Sequence, residues 1–389
     1  MNIDDRIERR LDGEPGTGVF VDFDAVSPVS HVDSPAGRGP MIERLLDAFQ
    51  PALSGSAPPT VYVYGPKGSG KSAVVAALFE RLAARGGPRR AIQTTTRAVE
   101  PAVPGFAYVD ARRASTRFRL YRALLSATTD EPVPGRGVGT DELTETLRGA
   151  VRTGPDLVVA VDHVGEPGTP SPAALREWLA DAGEGLVPAC IGRDPPDAVD
   201  WEPDATVEFA TYRRHVLVEV LTSRCSTGLG RDALSHAQIR DIVEWAAGDA
   251  HDALAAVTGA AVSADRAGAS TVRPTDVDAG IDAVSRPCVA LGRVLALAES
   301  RRRILYELAA LPDEARATVS AATEAVAARP DVDLSPSTVR RVLYELSDAG
   351  FIRRETVRRG GKGRPPSRVV PRFPTTAFRE LFDRDARST

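Results

Sequence analysis

Short apolar runs alternate with amphipathic stretches through the first half of the chain. Residues 1 to about 35 are polar and rich in Gly, Pro and Asp, and predict a mostly irregular arm. Ile42, Leu45, Leu46 and Phe49 have helical spacing, with Pro40 near the start of their helix. Val61–Tyr64 reads as a strand, followed by a Gly-rich turn and a helix over Ser72–Ala84. Phe106–Asp110 predicts a second strand, and Phe118, Tyr121, Leu124 and Leu125 mark the next helix. A helix over Thr140–Val151 precedes the apolar strand Leu157–Val161, and helix Ala173–Ala182 precedes strand Leu186–Gly192. Thr206–Phe209 is a last short strand. Strands separated by helices imply βαβ units and a mainly parallel sheet. After Tyr212 the pattern turns purely helical to about Val284, with helices starting near Arg213, Ser235, Asp249 and Pro274. Arg286–Ala298 reads as a connecting helix. A third unit follows from Arg301: three helices, then two strands around a polar loop.

The 389 residues suffice for two or three domains with their own cores. No segment approaches 18 uninterrupted apolar residues, and Met1–Arg10 is charged, so neither a membrane span nor a secretory signal is expected. These features predict an intracellular, cytoplasmic protein with no membrane partner. Cys190, Cys225 and Cys288 lack metal-ligand spacing and read as reduced thiols. Only Lys67, Lys71 and Lys362 are lysines, against 46 arginines, a bias of GC-rich genomes such as those of salt-loving archaea. Charge is uneven as well. Ser335–Arg372 holds ten basic and three acidic residues, so this stretch carries +7 and the rest of the chain −11. A basic module on an acidic body is the footprint of a nucleic-acid-binding domain.

Two sites of chemistry stand out. Gly65-Pro66-Lys67-Gly68-Ser69-Gly70-Lys71-Ser72 fits the phosphate-binding pattern G-x-x-x-x-G-K-[ST], between a strand and a helix. Its glycines allow backbone N–H groups to turn around phosphates, and the helix N-terminus adds a favourable dipole. Lys71 is expected on the β/γ-phosphates of ATP or ADP, and the Ser72 hydroxyl on Mg²⁺. Asp162, at the end of a buried strand, is the expected second Mg²⁺-site residue. Toward the C-terminus, Ser335 and Pro336 open a helix whose apolar face is Val339, Val342, Leu343 and Leu346. Ser337, Thr338, Arg340, Arg341 and Tyr344 lie opposite. A strand over Phe351–Val357, a basic loop with Arg358, Arg359, Lys362 and Arg364, and a strand over Ser367–Pro371 complete a winged-helix pattern. Its helix is expected in the major groove of double-stranded DNA, and its loop on phosphates or in the minor groove.

The sequence resembles the archaeal origin-recognition and cell-division-control family of AAA+ replication initiators. The resemblance runs from about Val19 to about Phe382. Its most specific stretches are Val61–Ser72, Val207–Tyr212 and Gly248-Asp249-Ala250-His251-Asp252-Ala253. It implies an α/β P-loop AAA+ core with a mainly parallel sheet, an all-α lid and a C-terminal winged-helix domain. The boundaries expected are an arm over 1–40, a core over 41–212, a lid over 213–285 and a winged helix over 286–389. It further implies Tyr212 at the nucleotide, recognition of origin DNA, recruitment or loading of the replicative helicase, and self-association on DNA. Three departures bear on catalysis. His163 stands where the family has a water-polarising Glu, and His251 where a lid Arg contacts the γ-phosphate. Arg193-Asp194 follows Cys190-Ile191-Gly192 where a polar sensor is expected, and Pro195–Tyr212 contains no Arg to serve as an arginine finger. With Asp162, His163 and His251 as the candidate catalytic set, an ATPase fold with slow or lost hydrolysis is expected. An ATP-liganded DNA-binding regulator of transcription or plasmid maintenance is the alternative on the same fold.

Overall fold

The computed structural model describes residues 18–86, 104–129, 133, 137–356 and 367–388. The chain forms two compact units, His31–Tyr212 and a second that joins the segment up to Ser30 with Arg213–Thr389.

The first unit is an α/β layer structure. A helix α2 (Gly39–Leu53) follows the short helix α1 (Phe23–Val26) of the other unit. Strands β1 (Val61–Tyr64), β2 (Gly105–Asp110), β3 (Leu157–Asp162), β4 (Leu186–Ile191) and β5 (Ala205–Glu208) form one parallel sheet in the order β2-β3-β4-β1-β5. The connecting helices are α3 (Lys71–Gly86), α4 (Arg117–Thr128), α5 (Thr140–Thr153) and α6 (Pro172–Ala182). The two-residue period of a strand assigns alternate side chains of β3 to opposite faces. Val158 and Ala160 pack with Leu45, Phe49, Phe79 and Phe209, while Val159 and Val161 pack with Tyr121, Leu124, Leu147 and Leu175. Both faces are covered, which is why β3 reads as an unbroken apolar run. Register places Asp162 beside Asp110 on one side and Ile191 on the other, so three strands end at the same edge.

In the second unit, α7 (Arg214–Gly228), α8 (His236–Ala246), α9 (Ala250–Arg266) and α10 (Pro274–Asp282) pack with the N-terminal segment. Ser235 and Gln238 form a reciprocal capping box at α8. Helices α9 and α10 approach so closely that a Cβ on Gly280 would lie 2.4 Å from the Ala256 carbonyl oxygen. Helices α11 (Leu291–Leu295), α12 (Glu299–Ala310), α13 (Val319–Ala327) and α14 (Pro336–Asp348) lead to the antiparallel hairpin β6 (Ile352–Thr356) and β7 (Ser367–Pro371). Helix α15 (Thr375–Ser388) closes this part, burying Ala377, Phe378 and Phe382 against Ile304, Leu305 and Phe373.

Two elements differ from the sequence expectation. Arg286–Ala298 is helical only over Leu291–Leu295. Pro287 biases Arg286 away from helix, and the Val289 amide is committed to the Arg372 carbonyl at 2.6 Å. Helix α15 is absent from the predicted elements, although Ala377, Phe378, Leu381 and Phe382 have helical spacing.

The N-terminal segment is held by one buried cation. The Arg224 guanidinium of α7 donates to the carbonyls of Ala25, Ser27 (2.8 Å) and Ser30 (3.2 Å), the chain turning around it just after α1. Thr258 adds a hydroxyl bond to the Val26 carbonyl at 2.8 Å. Arg224→Met keeps much of the apolar stem but strips the donors from these carbonyls and from that of Asp24. The expected cost is about 2–4 kcal/mol in urea denaturation. A loss under about 0.5 kcal/mol, the scale of an ordinary surface substitution, would show that the anchor does not depend on these bonds.

Candidate functional site

The loop between β1 and α3 is built on positive φ values at Gly65 (144°), Gly68 (71°) and Gly70 (86°). At Gly65 a Cβ would also stand 2.1 Å from the Phe209 carbonyl oxygen, and at Gly70 2.3 Å from the Tyr212 hydroxyl. Glycine is therefore required twice at each position, by backbone conformation and by space. Tyr212 is buried, and its ring carries the Arg38 guanidinium 3.7 Å from the centroid. Arg38 in turn donates to the Ala210 carbonyl at 2.7 Å. Tyr212 thus braces the glycine loop from the end of the sheet.

Lys71 curls onto this loop, donating to the Gly65 and Pro66 carbonyls (2.7 and 2.8 Å) and to the Ser69 hydroxyl (3.3 Å). Burial pushes its pKa down to about 8; Asp162 and Glu166 oppose the shift, and Arg193 and Arg38 add to it. Asp162 is fully buried at the end of β3. Burial alone would raise its pKa, but His163, the Ser72 and Tyr108 hydroxyls and the His163 amide hold it below the usual carboxylate range. The Tyr108 hydroxyl donates at 2.6 Å and the His163 amide at 2.7 Å. Ser72 and Asp162 are hydrogen-bonded partners at the mouth of a loop made of inward-turned glycines. A hydroxyl beside an ionised carboxylate is a hard-oxygen pair that fits Mg²⁺. The cationic surroundings of Lys71 fit an anion.

The next residue, His163, is a non-glycine in the left-handed region, φ 66°. Its Nδ1 lies 3.4 Å from Asp162 Oδ1 and 3.7 Å from Glu166 Oε1, beyond good hydrogen-bond length to either. Glu166 is buried and gripped by two guanidiniums. Arg112, just beyond β2, forks onto it with three contacts of 2.7–2.9 Å, and Arg193, just beyond β4, reaches Oε1 at 2.6 Å. Burial would raise the Glu166 pKa, yet Arg112, Arg193 and His163 lower it. Of the Arg193-Asp194 pair it is Arg193 that faces the site, while the Asp194 carbonyl accepts the Tyr62 hydroxyl at 2.8 Å. Sequence patterns mark none of Tyr108, Arg112 and Glu166, because these residues belong to no contiguous motif. Arg193 stands out in the sequence only as a departure at the sensor position.

His251, in the second unit, has both ring nitrogens engaged. Nε2 accepts the Leu291 amide at 2.9 Å, and Nδ1 lies 3.1 Å from Asp252 Oδ1. His251, Asp252 and Cys288 offer ligand atoms within 4.8 Å of one another. In the neutral ring, however, a lone pair on Nε2 puts the proton on Nδ1, which leaves that nitrogen no lone pair for an ion.

On α14, Ser335 caps the helix, and its hydroxyl lies 3.0 Å from those of Ser337 and Thr338. Arg340 is exposed. Arg341 pairs with Glu345 at 2.5 Å, and Tyr344 is exposed beneath the Arg354 guanidinium, 4.8 Å from its ring centroid. Arg358, Arg359, Lys362 and Arg364 lie outside the described residues. No helix among the described residues is long and apolar enough to cross a membrane.

The family model for the AAA ATPase domain matches residues 34–193. The chain is similar to ORC1-type DNA replication protein 3 of Haloarcula marismortui, 25% identical over 264 residues, which cover 63% of this chain and 66% of that protein. It is likewise 25% identical to ORC1-type DNA replication protein 6 of Halobacterium salinarum over 346 residues, 84% of this chain and 86% of the relative. Among solved structures, the Aeropyrum pernix ORC1 protein in complex with DNA superposes with a TM-score of 0.62 at 22% identity, covering 97% of this chain and all of that one. The Cdc6p protein of Pyrobaculum aerophilum gives 0.52 at 16% identity, covering 95% and 100%.

Lys71 sets a pH dependence. Its pKa in the fold, about 8, lies below the ordinary 10.5, so the folded chain sheds this proton first. Stability without added nucleotide therefore rises with pH between those two values, by up to about 3 kcal/mol. Denaturation midpoints of wild type and Lys71→Met across this window should differ in slope, with the variant flatter. Parallel slopes would contradict the burial of this charge.

Proposed function

We propose that this chain, which carries an AAA ATPase domain and shares its fold with archaeal Orc1 and Cdc6, is an ATP- and DNA-binding protein of the replication-initiator type. The observation that carries the nucleotide part is the Ser72 hydroxyl paired with the buried Asp162 carboxylate beside the Lys71 loop. In this reading the amides of Gly65–Ser72 and Lys71 hold the phosphates of ATP or ADP. Ser72 and Asp162 would hold Mg²⁺, which would supply charge neutralisation at the phosphates. Tyr212 and Arg38 keep the loop in shape from behind.

Hydrolysis is slow in this reading. The residue after Asp162 is His163, whose imidazole stands in place of a carboxylate, and Glu166 is neutralised by two arginines. A carboxylate so paired is a poor acceptor for a proton from water. The chain is then a nucleotide-held switch more than a motor.

DNA binding is assigned to α14 and the hairpin after it. Ser337, Thr338, Arg340, Arg341 and Tyr344 share the face opposite the buried Val339, Val342, Leu343 and Leu346. Arg354 extends that face from β6. The haloarchaeal relatives are named for DNA replication, and the Aeropyrum ORC1 structure is a DNA complex. Origin recognition, with helicase recruitment and self-association on DNA, is the role proposed. An ATP-liganded DNA-binding regulator is the second reading, favoured by His163.

Three measurements test this. Single-turnover assays should show ATP bound but turned over slowly, with binding abolished in Lys71→Ala; rapid Lys71-dependent turnover would refute the switch. Duplex titrations should show Arg340→Ala and Arg341→Ala weakening binding, the salt slope falling by about 0.9 for each phosphate that is no longer neutralised. Unchanged affinity and slope in both variants would remove α14 from the DNA interface. Footprints confined to origin repeats would favour the initiator over the regulator.

A further inference from the structure

The Asp162 carboxylate meets its neighbours through both oxygens. The Tyr108 hydroxyl donates to Oδ2 at 2.6 Å, and the His163 amide donates to Oδ1 at 2.7 Å. The Ser72 hydroxyl is a further partner. An ionised carboxylate has about four lone-pair positions, so these donors leave little of it free. The His163 amide belongs to the turn that follows β3, and Ser72 belongs to the glycine loop and its helix. Tyr108 belongs to neither; it reaches Asp162 from the neighbouring strand β2.

The sheet fixes where that hydroxyl sits. Tyr108 pairs with Ala160 in the register of β2 and β3, so it shares a face with Asp162, two residues further on. Its ring packs against the cluster on that face, which includes Ala160, Phe79 and Phe106. Burial and the Asp162 charge push the Tyr108 pKa well above its ordinary value, so the hydroxyl keeps its proton and stays a donor. A carboxylate can take an ion through one oxygen or through both. Ca²⁺ accepts either mode within a flexible shell of about 6–8 oxygens, whereas Mg²⁺ demands a near-octahedral shell and keeps several waters beside phosphate oxygens. Contact through both oxygens needs a free lone pair on each. Tyr108 occupies Oδ2 from a fixed position and works against that mode.

Resting on the nucleotide reading above, we propose that Tyr108 sets the choice of ion, holding Asp162 to single-oxygen contact and so favouring Mg²⁺ over Ca²⁺ beside the nucleotide. Tyr108 acts through Asp162 and is a positioning residue. Tyr108→Phe keeps the ring and its packing but frees Oδ2, so Ca²⁺ gains relative to Mg²⁺.

The test is the concentration of Mg²⁺ or of Ca²⁺ that half-saturates ADP binding to the full chain, followed by calorimetric titration. Wild type should need less Mg²⁺ than Ca²⁺. Tyr108→Phe should move the ratio of the two toward Ca²⁺ by about 10-fold, the scale of one hydrogen bond to a charged group. A 4-aminophenylalanine placed at position 108 returns an N–H donor to the same ring and should restore the wild-type ratio, which a purely structural role would not require. An unchanged ratio in Tyr108→Phe, with both ions still supporting ADP binding, would overturn the inference and leave the nucleotide reading intact. A wild type without preference for Mg²⁺, or a Tyr108→Phe variant that binds ADP with neither ion, would do the same. Failure of wild type to bind ADP, or binding that ignores both ions, would overturn that reading, and the inference with it.

Discussion

The site at the carboxyl edge of the sheet depends on keeping one carboxylate, Asp162, ionised with almost no exposure to water. Burying an unpaired carboxylate costs several kcal/mol, so the surrounding chain has to supply compensation from fixed positions. The Ser72 hydroxyl comes from the start of α3, the Tyr108 hydroxyl from β2, and an amide from the left-handed turn at His163. Those three groups constrain three elements at once. β2 must lie beside β3 in register, α3 must start where the glycine loop ends, and the chain must turn sharply after β3. The sheet order and the loop geometry are thus consistent with a single electrostatic requirement.

The same requirement explains why the site is crowded with cations. Arg38, Arg193 and Lys71 place positive charge around the loop, and burial leaves Lys71 with a lowered pKa. Glu166, buried with Arg112 and reached by the more exposed Arg193, forms a second charge cluster just beyond Asp162. The His163 imidazole lies between the two carboxylates, its Nδ1 without a close bond to either. The cationic surroundings suit an anion, and Glu166, the carboxylate nearest His163 besides Asp162, is already paired with two arginines.

What could be read from sequence follows contiguity. Lys71 and Ser72 lie within eight residues of Gly65, and strand β3 is an uninterrupted apolar run ending in Asp162, so pattern alone marks them. Arg112, Glu166 and Arg193 come from three strand ends separated by dozens of residues, and only the sheet order brings them together. Their one signal is position: each follows the carboxyl end of a predicted strand. His251 matches a family motif by position, but the structure ties its ring to the Leu291 amide, a partner 40 residues away that no local pattern reveals. Helix α15 carries a readable hydrophobic spacing, whereas the stretch from Arg286 to Ala290 looks helical because its apolar content hides the Val289–Arg372 backbone bond. On α14 the buried face is legible from periodicity. The pairing of Arg341 with Glu345 and of Tyr344 with Arg354 is not, since it depends on side-chain direction and on β6.

The most direct test of the Asp162-centred site is a crystal structure of the protein grown with a non-hydrolysable ATP analogue and Mn²⁺, whose anomalous signal locates the ion. The expected result is a peak between the Ser72 hydroxyl and the Asp162 carboxylate, with the phosphates along Gly65–Ser72. A nucleotide bound with its ion away from Asp162, or phosphates outside this loop, would contradict it.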